Sequence, residues 1–204
     1  MSLALNKTSL KQQRDQLAMY QQYLPSLDLK RQQLLVDLQH SKNKLKSTER
    51  EISDVLDSQA GLFSLLGASD QNLTDLVRVE AMVVDEENVL GVRLPILGAI
   101  RFQVKDYSML AKPFWVDFLV EFLQTMATLR VRRDIEQKRV SRLSEAVRRI
   151  TQRVNLFEKV LIPQAEKDIQ RIRIHLADTE RAAVVRSKIA KAKQNRGELT
   201  MRTV

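Results

Sequence analysis

A seven-residue apolar repeat constrains this chain more than any other feature. Stepping by seven from Trp115 gives Trp115, Phe122, Leu129, Glu136, Leu143, Ile150 and Phe157, and a companion track gives Leu119, Met126, Arg133, Val140, Val147, Val154 and Leu161. Twelve of these fourteen positions are apolar, which is too regular for a chance surface helix. On an α-helix they form a narrow stripe that is buried only when a second helix covers it. The matching stripe lies earlier in the chain. From Leu10 the same step gives Leu10, Leu17, Leu24, Arg31, Leu38, Leu45 and Ile52, six of seven apolar. Three residues on, Gln13, Tyr20, Leu27, Leu34, Ser41, Thr48 and Val55 supply four more apolar members. Sustained spacing of seven implies a left-handed supercoil packed knobs-into-holes. Arg31, Ser41, Thr48, Arg133 and Glu136 interrupt the seam and are expected to fix its register at some cost in stability.

The breakers sit between the two arms. Gly61, Gly67, Gly91, Gly98, Pro95 and Pro113 all fall within residues 61–113, so the chain reads as three parts. Residues 1–60 are an N-terminal coiled-coil helix, 61–113 a central segment, and 114–204 a long C-terminal coiled-coil helix with a basic tip. The expected fold is mainly α: a long antiparallel two-helix coiled coil with a short β-hairpin in its central segment. In that segment Val77, Val79, Ala81 and Val83 alternate with polar neighbours as in a half-exposed strand. Asp85-Glu86-Glu87-Asn88 reads as the turn, and Val89 to Leu94 as a return strand ended by Pro95. A short amphipathic helix is expected around Ala60 to Leu66.

Pro25 and Pro163 each remove a backbone donor and are expected to bend or break their helices. After Pro163 the apolar phase moves by one, continuing as Ile162, Ile169, Leu176 and Ala183. Matching Gly61 with Pro113 sets Leu10 opposite Gln164 and leaves everything after roughly residue 170 without a partner. At the helical rise, such an overhang spans on the order of 40 Å. From Arg181 onward it carries Arg181, Arg186, Lys188, Lys191, Lys193, Arg196 and Arg202 against one acid, Glu198.

Composition narrows the chemistry. Charged residues make up 29% of the chain and aromatics 5%, a large charged surface with little bulky filling, as in thin helical proteins. The chain has no cysteine, and its two histidines, His40 and His175, stand apart in polar helical sequence with no second ligand at i+3 or i+4. Both are expected on helix surfaces. No phosphate-cradling glycine loop and no ordered nucleophile, base and orienting group are present. The acids of Asp85 to Glu87 are better explained by solvation than by acid–base catalysis. No catalytic residue, metal or cofactor is predicted. The absence of a long apolar run predicts a soluble, intracellular protein. A net charge of +9 invites nucleic acid, an anionic membrane or an acidic protein.

The stretch Arg148 to Pro163, with Arg153-Val154-Asn155 and Glu158 running into Ile162-Pro163, resembles the C-terminal signature of the D-subunit family of V/A-type rotary ATPases. Ile169, Ile172, Leu176 and Glu180-Arg181 continue the pattern, and Lys7-Thr8-Ser9-Leu10 and Glu87 to Pro95 are similar to further family elements in the same order. Pro25 and the loosely matching Leu29-Lys30-Arg31-Gln32 depart from it. The resemblance implies a non-catalytic central-stalk rotor, cytoplasmic and peripheral to the membrane, that couples ATP hydrolysis or synthesis to rotation of the ion-translocating ring. It implies as partners the catalytic hexamer of A and B subunits, the small F subunit of the stalk and the membrane-ring adaptor of C/d type, with no nucleic acid and no membrane insertion of its own. On that reading Lys11, Arg14, Arg173, Arg181, Arg186 and Lys188 are the candidate contacts with acidic loops of the hexamer. Val83, Val89, Leu90, Val92 and Leu94 form the candidate partner-binding hairpin. The alternative is a basic coiled-coil adaptor for nucleic acid or anionic membrane. Against it stand a tail without interleaved aromatics for base stacking and a sparse apolar face after Pro163.

Overall fold

The computed structural model describes residues 4–61, 63, 76–105 and 115–201, with side chains described as far as Lys193. Gly67, Pro113, Leu62 and residues 64–66 of the expected short helix, and the side chains of Arg196, Glu198 and Arg202 lie outside the described residues. Helix α1 spans Lys7–Ser58, strands β1 and β2 span Val77–Val89 and Val92–Val104, and helix α2 spans Trp115–Leu156. A π-turn, Phe157–Leu161, leads into α3, Ile162–Met201. The chain divides into two compact units, one of residues 1–29 with 151–204 and one of residues 30–150.

The heptad stripes are the buried stripes. All fourteen positions read on the first arm are buried or half-buried, as are thirteen of the fourteen on the second. The exception is Arg133. It turns out of the seam and donates two hydrogen bonds to Asp134 Oδ1, at 2.7 and 3.1 Å.

In the unit of residues 30–150, Leu34, Leu38, Ser41 and Thr48 are buried on α1, and Leu119, Met126, Leu129, Leu143 and Ile150 on α2. Each buried leucine or isoleucine contributes roughly 1.5–3 kcal/mol. Arg132 on α2 reaches Glu51 on α1 at 3.7 Å. At the start of α2, Trp115, Val116 and Leu119 close a small core with Leu76, and Phe63 meets Phe122 edge-to-face at 5.7 Å between ring centroids.

The hairpin differs from its sequence reading. Its turn is Leu90-Gly91, with φ of 52° and 84°, and both strands run on to thirteen residues. Two successive left-handed residues match the twist of a two-residue hairpin, and Gly91 meets that demand where the acidic run does not. Asn88 Oδ1 accepts the Gly91 N–H at 2.9 Å. Pro95 therefore sits inside β2, opposite Glu86. A two-stranded ribbon leaves alternate backbone groups unpaired, so a proline fits there. The register slips between Val79 and Ala81 and again between Met82 and Val84, as β-bulges.

In the unit of residues 1–29 and 151–204, Asn6 caps α1 by accepting the Ser9 N–H at 2.7 Å. The helix continues through Pro25 without a break. Pro25 lies on an exposed face, where water can meet the carbonyl it orphans, and the Ser26 hydroxyl donates to the Tyr23 carbonyl at 2.8 Å. Tyr20 meets Phe157 edge-to-face at 5.4 Å.

Pro163 does not break its helix either. The backbone opens by one residue just before it, with the Ile162 N–H donating to the Phe157 carbonyl five residues back. One inserted residue turns every later side chain by about 100°. That is the phase step visible in the sequence. Ala165, Ile169 and Ile172 are buried and Ile162 and Leu176 half-buried, whereas Ala183 is exposed. Burial starts at Ser9 and Leu10 on α1 and ends at Leu176 and Ala177 on α3. The paired region thus reaches beyond residue 170, and the overhang begins at Asp178. Pairing two glycine- and proline-marked ends could not register the π-turn or the true length of the central segment.

Candidate functional site

Two surfaces carry the residues singled out by sequence. The first is the end of the unit containing both termini. From Asp178 to Lys193 every residue of α3 is exposed. Arg181, Arg186 and Lys188 lie on this bare stretch, with Lys191 and Lys193 beyond. Arg181 is 3.5 Å from Asp178, a solvent-exposed pair that contributes little. Arg186 and Lys188 make no ion pair among the described residues.

Lys11 is exposed on the first turns of α1. Arg14 and Arg173, far apart in sequence, flank one shallow groove whose floor includes Leu17 and Ile169. Folding therefore gathers two of the six candidate cations, while Arg181, Arg186 and Lys188 follow further along the same helix. The groove is also lined by Glu166, Gln21 and Gln170, so it brings two guanidinium groups together with one carboxylate beside the apolar Leu17 and Ile169.

The bare helix is not only basic. Val184, Val185 and Ile189 are each more than half exposed. Val185 and Ile189 are four apart and share a face. Their signal in the sequence was an apolar pair persisting where the seam had no partner left, and it was overshadowed by the lysines and arginines.

The second surface is the hairpin. Val83 is 52% exposed and Leu90 37%, Val89 and Val92 are half-buried, and Leu94 is wholly buried. The first four are available to a partner. Leu94 is not, and its place is to anchor β2. Val79, Met82, Val84 and Ile96 add to the exposed apolar surface and were missed, because strict alternation predicts one covered face and the two bulges rotate side chains off it.

The acids near the turn are ion-paired rather than merely solvated. Glu87 accepts from Arg139 at 2.8 Å, Glu86 lies 3.6 Å from Arg142, and Arg142 also donates to the Arg93 carbonyl at 3.0 Å. These contacts bind the hairpin to α2. Between β2, α1 and α2 a cavity of about 470 Å³ remains, lined by Ile100 and Phe102 on one side and by Lys44, Arg132 and Glu136 on the other.

Both histidines are exposed on helices, as expected. No group of His, Cys, Asp or Glu able to hold a metal occurs among the described residues, and no described helix is long and apolar enough to cross a membrane.

The sequence profile of the family described as the D subunit of ATP synthase matches residues 9–192. The D subunit of the V-type ATP synthase of Borreliella burgdorferi is 36% identical over 200 residues, covering 97% of this chain and 98% of the relative. That of Chlamydia trachomatis serovar L2 is 31% identical over 194 residues, covering 94% and 95%. The match takes in both helical arms, the hairpin and the bare stretch of α3, and the chain belongs to the D-subunit family of ATP synthases.

Proposed function

We propose that this chain is the central-stalk rotor subunit of a V/A-type ATPase or ATP synthase. It couples ATP hydrolysis or synthesis in a hexamer of A and B subunits to rotation of a membrane ion-translocating ring. The observation that carries this reading is the inequality along α3, buried on one face through Leu176 and Ala177 and bare from Asp178. A lone helix is marginal in water, and this one also exposes Val184, Val185 and Ile189. Basic charge with a short apolar face suits a surrounding sleeve of acidic loops and apolar contacts.

Lys11, Arg14, Arg173, Arg181, Arg186 and Lys188 then meet the hexamer. Val83, Val89, Leu90 and Val92 face the small F subunit of the stalk or the C/d-type ring adaptor, with Leu94 holding the hairpin from within. The work is mechanical. A two-helix shaft has no rotational symmetry, so it touches three catalytic interfaces differently at any instant and biases the conformation of each through differential contact. ATP chemistry stays in the hexamer, and the protein sits at the cytoplasmic face of the membrane as a peripheral component.

Reconstitution with A and B subunits tests this. Co-purification is expected, with ATPase turnover that depends on the chain. A hexamer that neither retains the chain nor changes its turnover contradicts the reading. Charge reversal of the groove, Arg14→Glu with Arg173→Glu, is expected to weaken association severalfold at low salt, with the difference shrinking as salt rises. Tight binding to DNA or anionic vesicles without the hexamer would favour the adaptor alternative.

A further inference from the structure

Glu136 occupies a seam position on α2, is 6% exposed, and has both carboxylate oxygens closed off with no hydrogen-bond donor among the described residues. A buried carboxyl group without a partner is costly. Two cations of its own helix stand at interacting distance in sequence, Arg132 four residues before and Arg139 three residues after. Both are engaged elsewhere, Arg132 with Glu51 at 3.7 Å and Arg139 with Glu87 of the hairpin at 2.8 Å. The Arg139 side chain is 23% exposed against 43% for Arg132, so its pair is the better shielded and the stronger of the two.

We propose that Arg139 is a latch with two receptors, Glu87 when the hairpin is docked on α2 and Glu136 when it is released. Docking satisfies Glu87 and leaves Glu136 bare. Release returns Glu86 and Glu87 to water and lets Arg139 fold back along its own helix, an acid-to-base order with the acid nearer the N-terminus, which is the favoured orientation. One charge-assisted contact replaces another, so the two arrangements lie close in free energy and a modest bias selects between them. The cavity beside Glu136 and Arg139 supplies room for the guanidinium to swing without repacking the seam. Arg142, holding the Arg93 carbonyl and Glu86, adds to the docked state. A basic ligand on the Glu86-Glu87 edge would compete with Arg139 and release the hairpin.

The chain has no native cysteine, so paired spin labels can be placed cleanly at Val84→Cys and Lys138→Cys. In the isolated full chain, electron–electron distance measurements are expected to show mainly one short distance. Glu87→Gln should raise a longer-distance population severalfold, and adding Glu136→Gln should bring it back down because Arg139 then has no charged alternative. Glu136→Gln alone should keep the short distance and raise the thermal midpoint. Arg139→Gln removes both partners, and its distance distribution should be indifferent to Glu136→Gln. Circular dichroism checks that each variant is helical. If Glu87→Gln leaves the distances unchanged, or its long-distance population is unaffected by Glu136→Gln, the latch does not exist. None of these readouts involves the hexamer, so they stand or fall apart from the rotor assignment.

Discussion

Leu90 holds a backbone conformation that β-carbon sterics disfavour, with φ of 52°, at the first central position of the hairpin turn. Asparagine is favoured there, and a leucine costs roughly 1–2 kcal/mol in local strain. Leu90→Asn is therefore expected to stabilise the chain by about 1 kcal/mol in chemical denaturation and to slow amide exchange across β1 and β2. If the leucine is retained for a partner's sake, the same variant will bind the small stalk partner more weakly. Gly98 shows a related constraint of space. A β-carbon there would lie 2.8 Å from Asp85 Oδ2 and 3.2 Å from the Val83 carbonyl, at the bulge where the register slips. The sequence places the turn at Asp85 to Asn88, whereas the chain turns at Leu90-Gly91 and Asn88 caps that turn with its side chain.

At the scale of elements, the π-turn is the feature that lets one seam continue past Pro163. The apolar pattern itself demands an extra residue there, so the proline accompanies the phase step rather than causing it. Pro163→Ala is expected to leave thermal stability and the burial of Ile172 nearly unchanged. Deleting Val160 should rotate α3 by about 100° and drive Ile169 and Ile172 out of the seam. At roughly 2–4 kcal/mol for each large buried side chain lost, that deletion should lower the midpoint of thermal unfolding sharply and admit a thiol reagent to Ile172→Cys. Equal effects of the two variants would mean that the proline sets the phase.

For the whole molecule, the two surfaces lie on different compact units, the hairpin on one and the basic end of α3 on the other. The end from Asp178 contributes no buried side chain among the described residues, and on the proposed reading its role lies in contact with the hexamer. Truncation after Ala177 is expected to leave the stability of the remaining chain in chemical denaturation within about 0.5 kcal/mol of its original value. The same truncation should reduce ATPase turnover in the reconstituted hexamer severalfold. A large loss of intrinsic stability would show instead that the stretch packs on its own chain.

The seven-residue spacing determined the helical arms and the stripe each would bury, and period-two alternation the presence of a hairpin between them, because periodicity is a local property that one chain carries regardless of its partner. It also determined the phase step, since an apolar set displaced by one residue has no other helical solution than an inserted one. Where the arms stop overlapping was decided only by tertiary structure, for that depends on the summed geometry of a π-turn and a central segment. So was the gathering of Arg14 with Arg173, and so was the pairing of Glu87 with Arg139, because each depends on which distant segments of the chain meet.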